Sequence, residues 1–242
     1  MNLIVDVGNT FVKFAVYDGR NLIFKQSFKL EAFKKQYNLL KKAYPKVDCA
    51  IISSVGRLLQ KDIDLVKADM PILELSSKTK VPFKNLYATP ETLGVDRMAL
   101  VSASVDQFSD NNVLIIDAGT CITYDFINKE NEYLGGAISP GIRLRYKALN
   151  DLTANLPLLD ASMPDSIVGN STNTSIHSGV IFGVIKEMDG IIDEYMENNI
   201  DLTIILTGGD TKFLSNQLKN TIFANSNFLL EGLNFILEYN SK

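Results

Sequence analysis

Ile4-Val5-Asp6-Val7-Gly8-Asn9-Thr10, at the start of the chain, is echoed near its middle by Ile115-Ile116-Asp117-Ala118-Gly119-Thr120. Each copy is an apolar run that ends in Asp-x-Gly and a hydroxyl residue. Each is followed by a second β-rich run: Phe11 to Tyr17, carrying Lys13, after the first copy, and Cys121 to Ile127 after the second. Apolar runs bounded by Gly, Asn, Asp and Thr read as strands joined by tight turns. The echo therefore predicts a duplicated strand–turn–strand hairpin. Its turns offer carboxylates, hydroxyls and backbone N–H groups, which together suit a nucleoside triphosphate held across a cleft.

Working outward from the first copy, strands are predicted over 2–7, 12–18 and 21–28, then a helix over 31–43, a strand over 49–53, a helix over 58–67 and a strand over 72–75. Three strands, helix, strand, helix, strand is the order of a ribonuclease-H-like unit, an α/β arrangement. Residues 76–94, with Pro82, Pro90 and Gly94, read as loop, and a helix is predicted over 96–106. The second half repeats the scheme: strands over 112–117, 121–127 and 132–138, and a helix over 141–150. A polar loop over about 156–174 leads to a long helix over 175–198 and a strand over 202–206. Thr207-Gly208-Gly209-Asp210 then turns into a helix ending near Lys219, followed by a short strand over 221–224 and a terminal helix over 229–239. The predicted fold is α/β: two ribonuclease-H-like domains related by duplication, 1–110 and 111–242, with the ligand cleft between them. A repeat of half the chain length is a duplication rather than a solenoid array.

Composition narrows the chemistry. The hydrophobic fraction of 46% and charged fraction of 21% are those of a soluble globular protein. A formal charge of -4 argues against a broad nucleic-acid-binding face, which needs a basic surplus. No apolar run approaches membrane-spanning length, and no basic segment precedes a long apolar stretch at the start. Cys49 and Cys121 both lie in strand-like runs, which fits a reducing cytoplasm better than a disulfide framework. With His177 the single histidine, a Ser-His-Asp relay or a His/Cys zinc site is short of residues. Acid–base work then falls to a carboxylate, and any metal is a hard cation held by oxygens.

Four stretches carry the candidate chemistry. In Asp6-Val7-Gly8-Asn9-Thr10 with Lys13, Gly8 permits a tight turn, Lys13 can neutralise phosphate charge, and Asp6 can hold Mg²⁺ directly or through water. Alone the stretch also fits a plain hairpin turn; its recurrence at Asp117 favours the phosphate reading. Gly94-Val95-Asp96-Arg97 opens a helix, where Asp96 is either an N-terminal cap or a general base, and Arg97 either a surface charge or a grip on an anionic or polar substrate. Gly135-Gly136-Ala137-Ile138-Ser139-Pro140-Gly141 suits close backbone approach as well as a simple turn. Gly208 and Gly209 offer bare backbone on which an adenine ring could lie, or a strand-to-helix turn. His177 and Cys121 are assigned to structure.

Taken together, these residues resemble the type III pantothenate kinases of the acetate-and-sugar-kinase, Hsp70 and actin superfamily. The resemblance is carried by Asp6-Val7-Gly8-Asn9-Thr10 with Lys13, Tyr87 with Pro90, Leu93-Gly94-Val95-Asp96-Arg97, and Asp117-Ala118-Gly119-Thr120 with Thr123. The stretch Gly135 to Gly141, Thr172 with Ser178-Gly179, and Thr207-Gly208-Gly209-Asp210 complete it, in the family's order over nearly the whole chain. One departure is Ser171 before Thr172, where the family tends to have Asn. The resemblance implies transfer of phosphate from ATP to pantothenate, with Asp96 as base and Tyr87, Gly94, Val95, Arg97 and Thr172 at the substrate. It places Asp6, Gly8, Asn9, Thr10, Lys13, Gly119 and Thr120 at the phosphates with Mg²⁺, and Gly208 and Gly209 at the adenine. It further implies a homodimer with a shared active site, and a K⁺ or NH₄⁺ ion held by Asp117 with Thr172 of the partner subunit. The rivals are another small-molecule kinase of the superfamily and a non-catalytic regulator that keeps the fold. Loss of Asp6, Lys13 or Asp96 would favour the regulator, and all three are present.

Overall fold

The computed structural model describes residues 1–8, 11–54 and 58–241. The chain forms two compact units: Met1–Ser109 with Asn131–Tyr133 and Asn227–Lys242, and Asp110–Glu130 with Leu134–Ser226.

In the first unit, β1 (Asn2–Val7) lies at the centre of a five-stranded sheet. It pairs antiparallel with β2 (Val12–Asp18) and parallel with β4 (Cys49–Ser54). The outer strands are β3 (Asn21–Phe28), antiparallel to β2, and β5 (Ile72–Glu74), parallel to β4, giving the order β3-β2-β1-β4-β5. Side chains alternate across a sheet, so Leu3, Val5 and Val7 share one face with Val12, Phe14 and Val16. That face packs with Phe33, Tyr37 and Leu40 of α1 (Phe33–Ala43) and Val66 of α2 (Gln60–Lys67). Ile4 and Asp6 point the other way. On that side are α3 (Val95–Gln107) and α7 (Phe228–Asn240), which lie so close that a Cβ on Gly232 would collide with the carbonyl of Ala99.

The second unit repeats the plan. Its β7 (Asn112–Ala118) pairs antiparallel with β8 (Cys121–Ile127) and parallel with β10 (Leu202–Thr207). With β9 (Glu132–Pro140) and β11 (Phe223–Ala224), five of the six strands of this sheet run in the order β9-β8-β7-β10-β11, the order of the first sheet. The two-residue β6 (Lys84–Asn85) runs parallel to the start of β9. Leu114, Ile116, Ile122 and Tyr124 form a core with Tyr146 of α4 (Ile142–Asp151) and Val180, Ile181, Val184 and Met188 of α5 (Thr172–Asn198). The α/β fold is therefore two sheets of one topology, as a duplication requires.

Three features differ from the sequence expectation. The long helix starts at Thr172 rather than 175, because Ser171 and Thr174 close a capping box. The helix expected to reach Lys219 is the single turn α6 (Thr211–Leu214). Beyond it the backbone finds other partners: the Lys219 N–H donates to the Asp189 carboxylate at 3.0 Å. The terminal helix α7 belongs with the first unit rather than with the second half of the chain, since its Gly232 face is shaped for α3. Among the described residues no helix is long and apolar enough to cross a membrane.

Candidate active site

In the first unit the candidate side chains come from the end of β1 and the start of α3. Asp6 and Lys13 stand opposite one another in the β1–β2 register, which puts both side chains on the α3 side of the sheet. Lys13 Nζ lies 3.2 Å from Asp6 Oδ2. Burial is the largest influence on Asp6, only 5% exposed, and holds its carboxyl above the usual carboxylate range. The Lys13 ammonium opposes that shift without cancelling it, and the negative charge of Asp96 adds to it. Asp6, Lys13 and Asp96 thus share one electrostatic neighbourhood. Within the turn, the Gly8 N–H donates to the Phe11 carbonyl at 3.1 Å. Asn9 and Thr10 lie outside the described residues.

Gly94 is the N-cap of α3, Val95 its first residue, and Asp96 its second. The Asp96 Oδ1 accepts from the Arg97 N–H at 2.9 Å, so the carboxylate is held over the helix N-terminus. A Cβ on Gly94 would collide with that oxygen. Arg97 is not a surface charge: it is 6% exposed. Its guanidinium donates to the Tyr133 hydroxyl at 2.7 Å and lies 5.5 Å from the centre of the Tyr87 ring and 6.0 Å from that of Tyr133. Tyr133 was not legible as a site residue, since alternation along its strand marks it only as inward-facing.

In the second unit three glycine turns meet. The Gly119 N–H donates to the Cys121 carbonyl at 2.9 Å, closing the β7–β8 turn, and leaves Thr120 exposed. The Gly141 N–H donates to the Thr120 carbonyl at 3.0 Å, in an approach that no side chain at 141 would allow. Gly208, at φ +96°, sets bare backbone against the Asp117 carboxylate and the Ala118 carbonyl, and the Asp210 N–H donates to that carbonyl at 2.9 Å. Gly209 is exposed, with open space where a Cβ would stand. The Arg143 guanidinium grips the buried Asp210 carboxylate at 3.0 and 3.3 Å, tying α4 to this turn. At the start of α5 the Ser171 hydroxyl is taken up by the cap, whereas Thr172 stands exposed.

Asp6, Lys13, Tyr87, Gly94, Val95, Asp96 and Arg97 thus belong to the first unit, and Asp117, Gly119, Thr120, Thr172, Gly208 and Gly209 to the second. Residues 2–194 match the family of type III pantothenate kinases. The chain is 51% identical over 240 residues to a type III pantothenate kinase of Christiangramia forsetii, covering 99% of each chain. It is 47% identical over 239 residues to that of Flavobacterium johnsoniae, covering 99% of this chain and 98% of the relative. Among solved structures it resembles a conserved Campylobacter jejuni protein named for the Baf family of transcriptional activators, with TM-score 0.64, 22% identity and coverage of 99% and 98%. It also resembles a glucokinase from an Antarctic psychrotroph, with TM-score 0.53, 12% identity and 98% of each chain covered. These structural likenesses speak to the two-sheet kinase fold alone.

Proposed function

This chain belongs to the type III pantothenate kinases, enzymes that phosphorylate pantothenate in coenzyme A biosynthesis, and from that premise we propose that Asp96 is the general base of the transfer. The primary hydroxyl oxygen of pantothenate attacks the γ-phosphorus of ATP, and the bond from that phosphorus to the β,γ-bridging oxygen breaks. The hydroxyl proton passes to the Asp96 carboxylate, leaving ADP and 4′-phosphopantothenate. Phosphoryl transfer asks the protein for alignment and charge neutralisation more than for covalent chemistry.

The observation that carries this reading is the grouping of Asp6, Lys13 and Asp96, three charged groups close enough for Asp96 to perturb Asp6. Asp96 is oriented by the Arg97 N–H rather than spent on an ion pair with Lys13. Tyr87, Gly94, Val95 and Arg97 hold pantothenate, and a buried guanidinium suits its carboxylate. The phosphate ligands in this reading are Asp6, Gly8, Asn9, Thr10, Lys13, Gly119 and Thr120, whose turns offer carboxylates, hydroxyls and backbone N–H groups. Adenine lies against Gly208 and Gly209, where open space at Gly209 admits a flat ring.

The donor set fits Mg²⁺. Among the described residues no group of three or more His, Cys, Asp or Glu side chains could cage a metal, and Mg²⁺ in kinases is held by one or two carboxylates together with substrate phosphates. Asp6, kept protonatable by burial that Lys13 only partly offsets, is the carboxylate a cation would stabilise. Bound there, Mg²⁺ supplies charge neutralisation at the phosphates. Asp117, with Thr172 of the partner subunit, is the proposed holder of K⁺ or NH₄⁺ in a cytoplasmic homodimer. Support comes from the exposed Thr172 hydroxyl and the hydroxyl-bearing neighbours Thr123 and Thr207 in register with Asp117.

The test is a coupled ADP-release assay with ATP, Mg²⁺ and K⁺, with and without pantothenate. Pantothenate-dependent release is expected, falling about 10²–10⁴-fold in Asp96→Asn while the melting temperature is unchanged. Asparagine keeps the oxygen that accepts from Arg97. Near-normal turnover in Asp96→Asn would remove Asp96 from the mechanism.

A further inference from the structure

We propose that Tyr133 is a positioning residue for the acceptor substrate, acting through Arg97: its hydroxyl fixes the guanidinium that receives the substrate carboxylate. The inference rests on the role given above to Arg97 and extends it to a residue outside the family's recognised stretches in this chain.

Tyr133 is fully buried, 36 residues beyond Arg97, and is carried to it by the first residues of β9. The 2.7 Å hydrogen bond uses one of the five guanidinium N–H donors. The same ring stacks with Tyr87 at a centroid separation of 6.1 Å and an interplanar angle of 29°, and meets the edge of Phe83 at 5.9 Å. The guanidinium therefore lies within cation–π distance of two tyrosine rings while bonded to the hydroxyl of one of them. A long, flexible arginine placed in this way has lost most of its rotamers before substrate arrives, so less ordering remains to be done on binding. Its plane matters because a guanidinium meets a carboxylate best edge-on, through paired N–H groups.

A purely structural role would have the Tyr133 hydroxyl do no more than satisfy a buried charge. The two roles part in kinetics. If Tyr133 positions Arg97 for the acceptor, Tyr133→Phe raises the KM for pantothenate about tenfold, the loss of one hydrogen bond to a charged group. The kcat and the KM for ATP then stay within about twofold. In an Arg97→Met background the same change adds nothing, because the group through which it acts is gone. Where turnover of that background is too low, the comparison is read as the rise in melting temperature that pantothenate produces. Should Tyr133→Phe give no soluble protein, Tyr133→Met, which also lacks the hydroxyl, is read in the same way.

An unchanged pantothenate KM in Tyr133→Phe overturns the inference, whatever happens to the melting temperature. So does an equal penalty with and without Arg97, or a fall in kcat at constant KM. Absence of pantothenate-dependent ADP release by the wild-type enzyme would instead overturn the parent reading, so the two failures are told apart.

Discussion

Asp6 is held in conflict with its surroundings. Burial raises its pKa, and the partly exposed Lys13 does not restore it. A carboxyl with a raised folded pKa binds its proton more tightly in the folded state than in the unfolded chain. Its contribution to stability is therefore complete below the ordinary value of 3.8 and is lost as pH rises through the raised one. Asp6→Asn removes this titration and keeps the shape. The variant should melt at the same temperature as the wild type or higher at pH 7, with the two curves converging at acid pH, and should lose turnover. Melting curves from about pH 3 to about pH 8, which run from below the ordinary carboxylate values to neutrality, decide the matter. A variant less stable than wild type at neutral pH would mean that the Lys13 pair, not burial, governs the site. The two glycines of the Thr207-Gly208-Gly209-Asp210 turn differ in what a side chain would meet. Gly208→Ala forces a side chain into a left-handed conformation and into the Asp117 carboxylate, and should cost about 2 kcal/mol or more in urea unfolding. Gly209→Ala meets open space and should keep stability while raising the KM for ATP. If Gly209→Ala leaves that KM unchanged, adenine lies elsewhere.

Between elements, the second unit is tied by a polar network that the sequence did not announce. Glu187 on α5 accepts from the Tyr124 hydroxyl of β8 at 3.1 Å and from Arg145 of α4. Arg145 also donates to the Pro140 carbonyl at 2.9 Å and the Ser139 hydroxyl at 3.0 Å. Four elements are thereby fixed around the Ser139-Pro140-Gly141 turn, whose Gly141 touches the Gly119-Thr120 turn at Thr120. Burial pushes Glu187 up, but the hydrogen bonds from Arg145, Ser139 and Tyr124, with the Arg145 charge, outweigh it and leave the carboxyl below its usual range. The sign is the reverse of Asp6: the stabilisation is present above the ordinary value and lost as pH falls through the lowered one. Glu187→Gln should lose about 1–2 kcal/mol at pH 7, allowing for a partly exposed pair. The deficit should close below about pH 4, and the KM for ATP should rise as the turn loosens. A pH-independent deficit would assign the loss to packing. The Gly and Pro signals located this turn, because they mark backbone needs within a few residues. Glu187 and Arg145 gave none, since charged residues on amphipathic helices look alike whether they face solvent or a partner. The short α6 escaped for a related reason: Ser215 and Asn216 are weak helix formers, and a carboxylate 30 residues away takes the Lys219 N–H.

At the scale of the molecule, the repeated Asp-x-Gly hairpins sufficed to foresee two sheets of one topology, because register and strand order follow from local patterns. What they did not reveal is where the chain's last helix goes. An amphipathic helix declares that it has a buried face, not which face buries it. Here Phe228, Leu230, Leu233, Ile236 and Leu237 of α7 are buried in the first unit. The Asn234 amide donates to the Gly19 carbonyl at 3.0 Å, and the Asn2 amide donates to Asn234 at 2.8 Å. Each such side chain contributes about 1.5–3 kcal/mol on burial, so the five together rival the whole stability of a domain, about 5–15 kcal/mol. The helix also packs beside α3, which carries Asp96 and Arg97. Truncation after Ser226 should therefore unfold the first unit and abolish pantothenate-dependent turnover, although no candidate site residue is removed. The second unit, whose core excludes α7, should keep its slowly exchanging amides on β7, β8 and β10. Hydrogen exchange on the truncated chain reads both units at once. Protection retained on β1 and β4 would show that α3 and the first sheet stand without their C-terminal cover. Loss of protection there, with retention on β7, would establish that the last sixteen residues of the sequence complete the domain that begins it.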